Sequence, residues 1–272
     1  MKAMVFAAGM GTRLKPLTDN LPKALIPISG QPLLYHVIMK LKAAGICDIV
    51  INVHHFADKI LAYLRENDNF GLNISISDET DMLRETGGGI RFASRLLCDP
   101  EGTGSNDRFL IHNVDIISNL DIKGFVSCAH PDSLADVLVS DRVTQRYFLF
   151  DKVMRLVGWT NLATGQVKTP FRDLDVDSCT KLAFAGIHIV SEKIFEVFDE
   201  VDSAPGEFPL YEKDGCVIGK SDVKCGEKFS ITDFYLRVAA KYPVYGISPA
   251  GLRIIDVGKI DTIKKAEASG LF

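Results

Sequence analysis

The stretch that decides the fold is Lys2-Ala-Met-Val-Phe-Ala-Ala-Gly9-Met-Gly11-Thr-Arg13-Leu-Lys15-Pro16, followed by Leu21-Pro22-Lys23-Ala24-Leu25. Residues 3–8 are apolar and end at a glycine, which predicts a short buried strand. Gly9 and Gly11 leave the next loop without side chains, so its N–H groups can close on a polyanion. Arg13, Lys15 and Lys23 add three cations near that loop. A loop of this kind at the C-terminal end of a strand is where open α/β sheets bind ligands.

Two common phosphate-binding motifs do not fit this loop. The dinucleotide fingerprint would need glycine where Leu14 stands, and the Walker loop would need Gly-Lys-Ser/Thr after its spacer. The stretch instead resembles the signature of the sugar-1-phosphate nucleotidylyltransferases, G-x-G-T-R followed by P-K. The matching residues are Gly9, Gly11, Thr12, Arg13, Pro22 and Lys23. A glycine turn with a solvated basic face is the alternative interpretation.

Composition excludes several classes of protein. The chain has 272 residues, of which 47% are hydrophobic, and this is enough for one large α/β domain. Its net charge of −4 disfavours non-specific binding to nucleic acid, which depends on positive charge. No apolar stretch reaches the ~20 residues of a membrane span. Six scattered cysteines without a C-x-x-C motif, and no cleavable signal before the first strand, favour a reduced cytoplasmic protein.

Apolar periodicity predicts strands and helices that alternate in the first half of the chain and therefore pair in parallel. The predicted helices cover 31–45, 57–66, 191–199, 232–241 and 261–269. The predicted strands cover 3–8, 48–53, 73–77, 108–112, 135–141, 146–150, 153–159, 181–190 and 252–256. Short turns around residue 150 indicate antiparallel additions to the sheet. Residues 162–180 and 203–228 are predicted to be loops.

A second glycine stretch, Glu85-Thr-Gly87-Gly88-Gly89-Ile90, predicts a helix start with free N–H donors. The resemblance implies a base-binding loop here, formed by Gly87 and Gly88. A helix start that needs tight packing is the alternative. Glu79, shortly before it, could accept a hydrogen bond from the ring N–H of uracil or guanine, or could be an exposed residue beside a turn.

Two aspartates follow predicted strands far apart in the chain. Asp115 comes after Asn113-Val114, and Asp256 lies in Ile255-Asp256-Val257-Gly258. Mg²⁺ prefers carboxylate and phosphate oxygens, and two acids at one sheet edge need a cation between them. The resemblance implies that both hold Mg²⁺, although Val114 and Lys259 depart from the usual motifs. A cap on the next turn is the alternative role for Asp115.

The resemblance implies one nucleotidyltransferase domain over 1–272, with a Rossmann-like, mixed but mostly parallel sheet flanked by helices. The 203–228 segment would be an inserted loop or lid. The implied roles are as follows: catalysis by Arg13 and Lys23; nucleotide binding by Ala8, Gly9, Gly11, Thr12, Glu79, Gly87 and Gly88; sugar binding by Asn113, Gly158 and Gly186; Mg²⁺ binding by Asp115 and Asp256.

The implied reaction transfers a nucleotidyl group from an NTP to a sugar 1-phosphate and releases pyrophosphate. The expected substrates are UTP and N-acetylmuramate 1-phosphate, as in cell-wall recycling, with GTP and mannose 1-phosphate as the alternative. A catalytically silent nucleotide-sugar sensor and a choline- or glycerol-phosphate cytidylyltransferase also stay open. The expected partners are these small molecules alone, with no nucleic acid or membrane, in a monomer or homo-oligomer.

Overall fold

The computed structural model describes residues 1–98, 107–212 and 224–271. Residues 213–223 of the predicted insert, with Cys216, lie outside the described residues. The strands are β1 (Lys2–Phe6), β2 (Pro27–Ile28), β3 (Gln31–Pro32), β4 (Asp48–Val53), β5 (Asn73–Asp78), β6 (Arg108–Asn113), β7 (Ile116–Ser118), β8 (Ala135–Ser140), β9 (Arg146–Phe150), β10 (Leu156–Asn161), β11 (Gln166–Lys168), β12 (Thr180–Ser191), β13 (Val244–Ile247) and β14 (Ile254–Asp256). The α-helices are α1 (Leu33–Ala43), α2 (Ala57–Glu66), α3 (Glu85–Phe92), α4 (Ser94–Leu97), α5 (Ile122–Ser127), α6 (Ile194–Ser203), α7 (Ile231–Val238) and α8 (Ile260–Glu267).

The chain divides into two compact units. The first contains Met1–Leu83, Ala93–Ser127 and Pro249–Phe272, and the second contains Arg84–Phe92 and Cys128–Ser248. A single domain over 1–272 stays a prediction. No helix in the described ranges has the length and apolarity needed to cross a membrane.

The first unit is built on four parallel strands. β1 lies between β4 and β6, and β5 pairs with the outer side of β4. Phe6 at the end of β1 is in register with Asn52 on one side and Asn113 on the other. The loops that follow β1, β4 and β6 therefore leave the sheet at the same edge, as the alternating pattern predicts.

Helix α1 covers one face of this sheet with an apolar stripe that includes Leu34, Val37 and Leu41, all fully or almost fully buried. It ends at Gly45, whose φ of 82° is reached readily only by glycine. The N–H of Gly45 donates to the carbonyl of Lys42 at 2.9 Å, and the next N–H donates to Leu41 at 3.0 Å. This is a Schellman motif in which Gly45 is the first residue beyond the C-cap, Ala44.

A short antiparallel ladder of β7 and β14 completes the first unit. Asp256 is in register with Ile116, the residue after Asp115. The ladder thus joins a segment near the C-terminus to the chain that leaves β6. Neither three-residue strand carries enough pattern to predict this pairing.

The second unit is a mostly antiparallel sheet. β12 pairs antiparallel with β8 and with β9, and β9, β10 and β11 form an antiparallel meander. These pairings confirm the expected antiparallel character. β13 pairs in parallel with β8. In β12 the register shifts between Phe184 and His188, where Gly186 has a φ of 73°, so this glycine marks a bulge.

Three predicted elements of the second unit differ from the observed ones for a local reason or in kind. The strand predicted over 153–159 covers 156–161, because Asp151 holds a turn by accepting hydrogen bonds from the N–H groups of Val153 and Arg155. The loop predicted over 162–180 contains β11. The helix predicted from Ser191 begins at Ile194, and the Ser191 hydroxyl accepts the N–H of Lys193 at 3.3 Å.

His188 and Tyr235 form a buried polar pair in the second unit. His188 Nδ1 and the Tyr235 hydroxyl are 2.7 Å apart, and both side chains are almost fully buried. Burial lowers the pKa of His188 to about 3, so the ring is neutral at physiological pH. His188 is therefore a hydrogen-bonded residue of the core.

Tyr235→Phe is expected to lower the free energy of unfolding by about 1–3 kcal/mol, because it leaves a buried ring nitrogen without its partner. Urea unfolding measures the change. Tyr63→Phe is the control, since no hydrogen bond to its hydroxyl is found in the described residues and the ring contact with Phe70 would remain. Equal stability of Tyr235→Phe and the wild type would contradict the account of this pair.

Candidate functional site

The loop after β1 is shaped by Gly11. Its φ is 61°, and a Cβ there would lie 2.8 Å from Thr18 Cγ2 and 3.1 Å from Lys23 Cβ. The Thr18 hydroxyl donates to the Gly11 carbonyl at 2.9 Å and fixes the turn. Glycine is therefore required at position 11 by both backbone conformation and packing, whereas nothing lies within 4 Å of a Cβ on Gly9.

The N–H groups along this loop fall into two sets. Those of Ala7 and Ala8 donate to Asn52 Oδ1 at 2.7 and 3.2 Å. Those of residues 9–11 make no hydrogen bond within the described part of the chain. Donors for a polyanion are thus available from Gly9 onward, while the N–H of the predicted contact Ala8 is already engaged.

Lys23 and Asp115 form the central ion pair of the first unit. Lys23 opens a 3-10 helix over Lys23–Leu25 and is only 8% exposed. Its ammonium contacts Asp115 Oδ2, and the Asp115 side chain is also mostly buried. Lys15, in contrast, is exposed and faces Asp19 at 3.5 Å. A buried ammonium needs such a counter-charge, so the pair fixes Lys23 beside the end of β6.

The backbone brings the two predicted metal ligands together. The Val257 N–H donates to the Asp115 carbonyl at 2.8 Å, directly after the ladder that sets Asp256 opposite Ile116. The backbones of two segments about 140 positions apart in sequence thus bring Asp115 and Asp256 to neighbouring positions at one edge of the first unit.

Arg13 reaches the same place. A Cβ on Gly258 would lie 2.8 Å from Arg13 Nη2 and 2.8 Å from Asp256 Oδ1. The guanidinium and this carboxylate therefore both border the space beside Gly258, which a side chain at that position would fill. The first unit thus contains both cations and both carboxylates of the predicted site, with Lys23 in contact with Asp115.

This donor set fits a hard divalent cation. Carboxylate oxygens are the ligands that Mg²⁺ prefers, and a site with two of them leaves positions for water and phosphate oxygens. In the described ranges no group of three or more Asp, Glu, His or Cys side chains has a metal-binding arrangement. Any Mg²⁺ at Asp115 and Asp256 would accordingly take its other ligands from substrate or water.

His112 lies in β6 near these carboxylates. It is fully buried, and burial lowers its pKa to about 4. Its Nδ1 is 2.8 Å from the Asn113 carbonyl. The ring is therefore neutral near pH 7 and adds no positive charge to the site.

Glu79, a predicted base contact, is fully buried. Its Oε1 accepts a hydrogen bond from Asn52 Nδ2 at 2.8 Å. Sequence reasoning missed Asn52, because one polar residue in an apolar strand gives no distinct signal. The role of Glu79 toward a base stays a prediction.

The second unit holds the other predicted nucleotide contacts, Gly87 and Gly88. They lie inside the first turns of α3, which begins at Glu85. A Cβ on Gly87 would come within 2.3 Å of the Phe229 ring, and one on Gly88 within 2.2 Å of the Glu227 carbonyl oxygen. The Gly87 N–H donates to the Phe229 carbonyl at 2.9 Å. Tight packing thus accounts for both glycines, and base binding by them stays a prediction.

The predicted sugar contacts divide between the units. Asn113 ends β6 in the first unit. In the second, a Cβ on Gly158 would meet Leu174, Leu149 and the Lys168 carbonyl at 3.0–3.1 Å, so this glycine is explained by packing. Sugar binding by Asn113, Gly158 and Gly186 stays a prediction.

Sequence reasoning missed one charged cluster of the second unit. Lys168 lies 5.4 Å from the Trp159 ring centroid and 3.0 Å from Asp233 Oδ1. Asp233 neutralises the ammonium, so the cluster offers an aromatic face and hydrogen-bonding groups, which suit an uncharged polar ligand such as the hydroxyl-bearing ring of a sugar. Lys168 ends β11 but falls in the range 162–180, which is predicted to be a loop, so it is not identified from the sequence.

Comparisons with known proteins find similarity to nucleotidyltransferases. A family model described as Nucleotidyl transferase matches residues 2–146. The N-acetylmuramate alpha-1-phosphate uridylyltransferase of Caulobacter vibrioides is 32% identical, over 92% of this chain and 89% of that protein. The mannose-1-phosphate guanyltransferase of Gibberella zeae is 36% identical, but over only 43% of this chain and 31% of that protein.

A comparison with solved structures identifies the fold. A crystal structure of UDP-glucose pyrophosphorylase complexed with UDP-glucose superposes with a TM-score of 0.69, covering 98% of this chain and 97% of that chain at 17% identity. The chain therefore has the nucleotide-diphospho-sugar transferase fold, a mostly parallel mixed sheet flanked by helices, as predicted.

Lys23→Met is expected to bind Mn²⁺ more tightly than the wild type, because its ammonium no longer competes for the Asp115 carboxylate. Electron paramagnetic resonance of free Mn²⁺ measures the affinity. Asp115→Asn should bind the ion more weakly, and Lys15→Met, which removes an exposed cation of the same loop, should match the wild type. Equal or weaker binding by Lys23→Met would show that the ammonium and the metal do not share this carboxylate.

Proposed function

This chain belongs to the nucleotidyl transferase family, and from that premise we propose that it transfers the uridylyl group of UTP to N-acetylmuramate 1-phosphate. A phosphate oxygen of the sugar phosphate forms a bond to the α-phosphorus of UTP. The bond from that phosphorus to the bridging β-phosphate oxygen breaks, and pyrophosphate leaves. The product is a UDP-sugar, and the reaction would serve cell-wall metabolism in the cytoplasm.

The observation that carries this proposal is the joint position of two cations and two carboxylates in the first unit. Lys23 contacts Asp115, and Arg13 and Asp256 both border the space beside Gly258. A phosphate monoester is already a nucleophile near neutral pH, so the reaction needs no strong general base. It needs neutralisation of charge and alignment of the two phosphates, which this arrangement can supply.

Each charged side chain has a distinct proposed role. Lys23 stabilises the α-phosphate and the incoming sugar phosphate as charge passes between them. Arg13 binds the pyrophosphate as it leaves, with the bidentate geometry that suits phosphate. The loop N–H groups from Gly9 through Thr12 bind the polyphosphate.

Asp115 and Asp256 would hold Mg²⁺. When bound there, the ion would neutralise phosphate charge and orient the reacting groups. Lys23 and the ion would share the Asp115 carboxylate, so binding of a polyphosphate gives the ammonium an alternative partner. The electrostatic cost of transferring Lys23 from carboxylate to phosphate is small, because both partners are anionic oxygens.

The choice of UTP and N-acetylmuramate 1-phosphate is supported by the share of the chain that is similar to each relative. Similarity to the uridylyltransferase of Caulobacter vibrioides extends along nearly the whole chain, including the second unit. Similarity to the guanyltransferase of Gibberella zeae covers less than half of it. GTP and mannose 1-phosphate are accordingly the second candidate pair.

The two departures from the family motifs lie at positions where the backbone makes its hydrogen bonds whichever side chain is present. Val114 is buried, and its N–H donates to the Phe6 carbonyl at 3.2 Å. Lys259 precedes α8, where its N–H donates to the Thr262 hydroxyl at 3.2 Å and its carbonyl accepts the Thr262 N–H at 3.0 Å. Neither departure removes a charged group of the proposed site, so neither argues for a silent sensor.

We expect UTP with N-acetylmuramate 1-phosphate to give the highest kcat/KM in a matrix of four NTPs against several sugar 1-phosphates. The assay contains Mg²⁺ and scores pyrophosphate release. The uridine pair should exceed GTP with mannose 1-phosphate by about tenfold or more, the discrimination that one lost polar contact can supply.

Two variants control this assay. Arg13→Ala should lose activity by about 10²–10³-fold, the cost of removing one charge-stabilising donor. Lys15→Ala, on the same loop but exposed, should retain it. A guanylyl pair as the best substrate would overturn the assigned specificity, and clear nucleotide-sugar binding without turnover would make the protein a sensor.

A further inference from the structure

Asn52 connects three segments of the first unit. It lies near the C-terminal end of β4 and is 1% exposed. Its Oδ1 accepts the N–H groups of Ala7 and Ala8, and its Nδ2 donates to Glu79 Oε1 at 2.8 Å. Both polar atoms of this side chain are thus engaged at the point where β1 becomes the glycine loop.

Glu79 fixes which way round the Asn52 amide lies. A carboxylate oxygen accepts hydrogen bonds, so it attracts the NH₂ end of the amide and turns the oxygen toward the loop. The backbone of Glu79 is itself held, because its N–H donates to Val53 at 2.8 Å and its carbonyl accepts the Met82 N–H at 3.1 Å. His54 Nδ1 lies 2.6 Å from the same carbonyl.

This network determines which loop donors remain for a ligand. Asn52 satisfies Ala7 and Ala8, whose buried N–H groups would otherwise be costly to leave unpaired. The chain then enters the loop with the N–H groups of residues 9–11 unused by other described residues. A shift at Ala7 and Ala8 would move these donors together with the backbone of Arg13.

We propose that Asn52 is a positioning residue for polyphosphate binding: oriented by Glu79, it holds Ala7 and Ala8 so that the N–H groups from Gly9 onward meet the polyphosphate of the nucleotide. The inference rests on the proposed function, because it takes this loop as the triphosphate site. It gives Glu79 a role through Asn52 and no direct contact with the base.

A matched control pair lies on the same two strands, β4, which contains Asn52, and β5, which ends just before Glu79. At their opposite end, Asn73 Nδ2 donates to Asp48 Oδ1 at 2.7 Å, and both residues are exposed. Asn73→Asp therefore makes the same chemical change as Asn52→Asp, an amide opposite a carboxylate replaced by a second carboxylate, far from the glycine loop.

The test uses Mg²⁺ with inorganic tripolyphosphate and, separately, with UTP as probes, and measures both dissociation constants by calorimetry. Tripolyphosphate carries neither base nor sugar, so its binding reports on the polyphosphate site without any contribution from base contacts. The variants are Asn52→Asp, Glu79→Gln, the double variant and Asn73→Asp. In the double variant the amide introduced at position 79 can donate to the carboxylate introduced at position 52, which restores the hydrogen bond with donor and acceptor exchanged.

We expect Asn52→Asp to weaken both probes by a similar factor, about tenfold or more, because a small displacement of the loop affects every donor on it. The double variant should recover most of this affinity. Glu79→Gln alone should weaken both probes by the same factor, smaller than that of Asn52→Asp, since its amide oxygen can still accept the Asn52 N–H but its NH₂ group competes for the Asn52 oxygen. Asn73→Asp should match the wild type.

Three results would overturn the inference. Asn52→Asp could bind tripolyphosphate like the wild type, the double variant could fail to recover, or Glu79→Gln could weaken UTP binding while leaving tripolyphosphate unaffected. The last result would assign Glu79 to the base. If Asn52→Asp alone does not fold, the double variant decides by the same criterion. Failure of the wild type to bind either probe would reject the proposed function itself.

Discussion

A buried ammonium against a buried carboxylate is the interaction on which the candidate site depends. Lys23 is 8% exposed, and removing its charge from water is costly unless an anion lies beside it. Asp115 supplies that anion, and it can do so only because β6 runs parallel to β1 and ends at the same sheet edge. The alternating strands and helices at the start of the chain thus lead directly to the chemistry.

The second carboxylate, that of Asp256, is positioned by a different structural feature. Asp256 comes from a three-residue strand near the C-terminus, which pairs with an equally short strand directly after Asp115. Gly258 then leaves open the space that Arg13 and Asp256 both border. Two cations and two carboxylates of the first unit thus give a phosphate–metal pair groups of both signs to bind. Removing one of these charges would leave its partner buried and unpaired, which would lower the stability of the fold. The same side chains therefore serve both stability and function.

Much of this arrangement could be predicted from the sequence where a local signal is strong. The bounds of β4 and α2 agree with the predicted ranges, because an apolar run and a clear helical stripe define them. The motif predicts the glycine loop, and the resemblance implies the two metal-binding aspartates, whereas no sequence pattern predicts the short β7–β14 ladder that brings Asp256 beside Ile116. The strand predicted over 153–159 begins later than expected, because the side chain of Asp151 organises a turn within that range.

Other features depend on contacts between residues far apart in the chain, which no local pattern contains. Gly87 and Gly88 are explained by residues 227–229, about 140 positions later. Asn52 acts by connecting residues 7, 8 and 79, and its neighbours in sequence give no indication of this. Lys168 lies beside Trp159 only because the short strand β11 pairs with β10, and this pairing is not evident from the sequence around Lys168.

The central claim is that Asp115 and Asp256 hold one divalent ion beside Arg13 and Lys23. Anomalous diffraction from crystals soaked with Mn²⁺ and a non-hydrolysable UTP analogue tests it most directly. The account predicts one strong peak within coordination distance of both carboxylates and of a phosphate oxygen. A nucleotide bound elsewhere, or an ion that contacts neither aspartate, would contradict it.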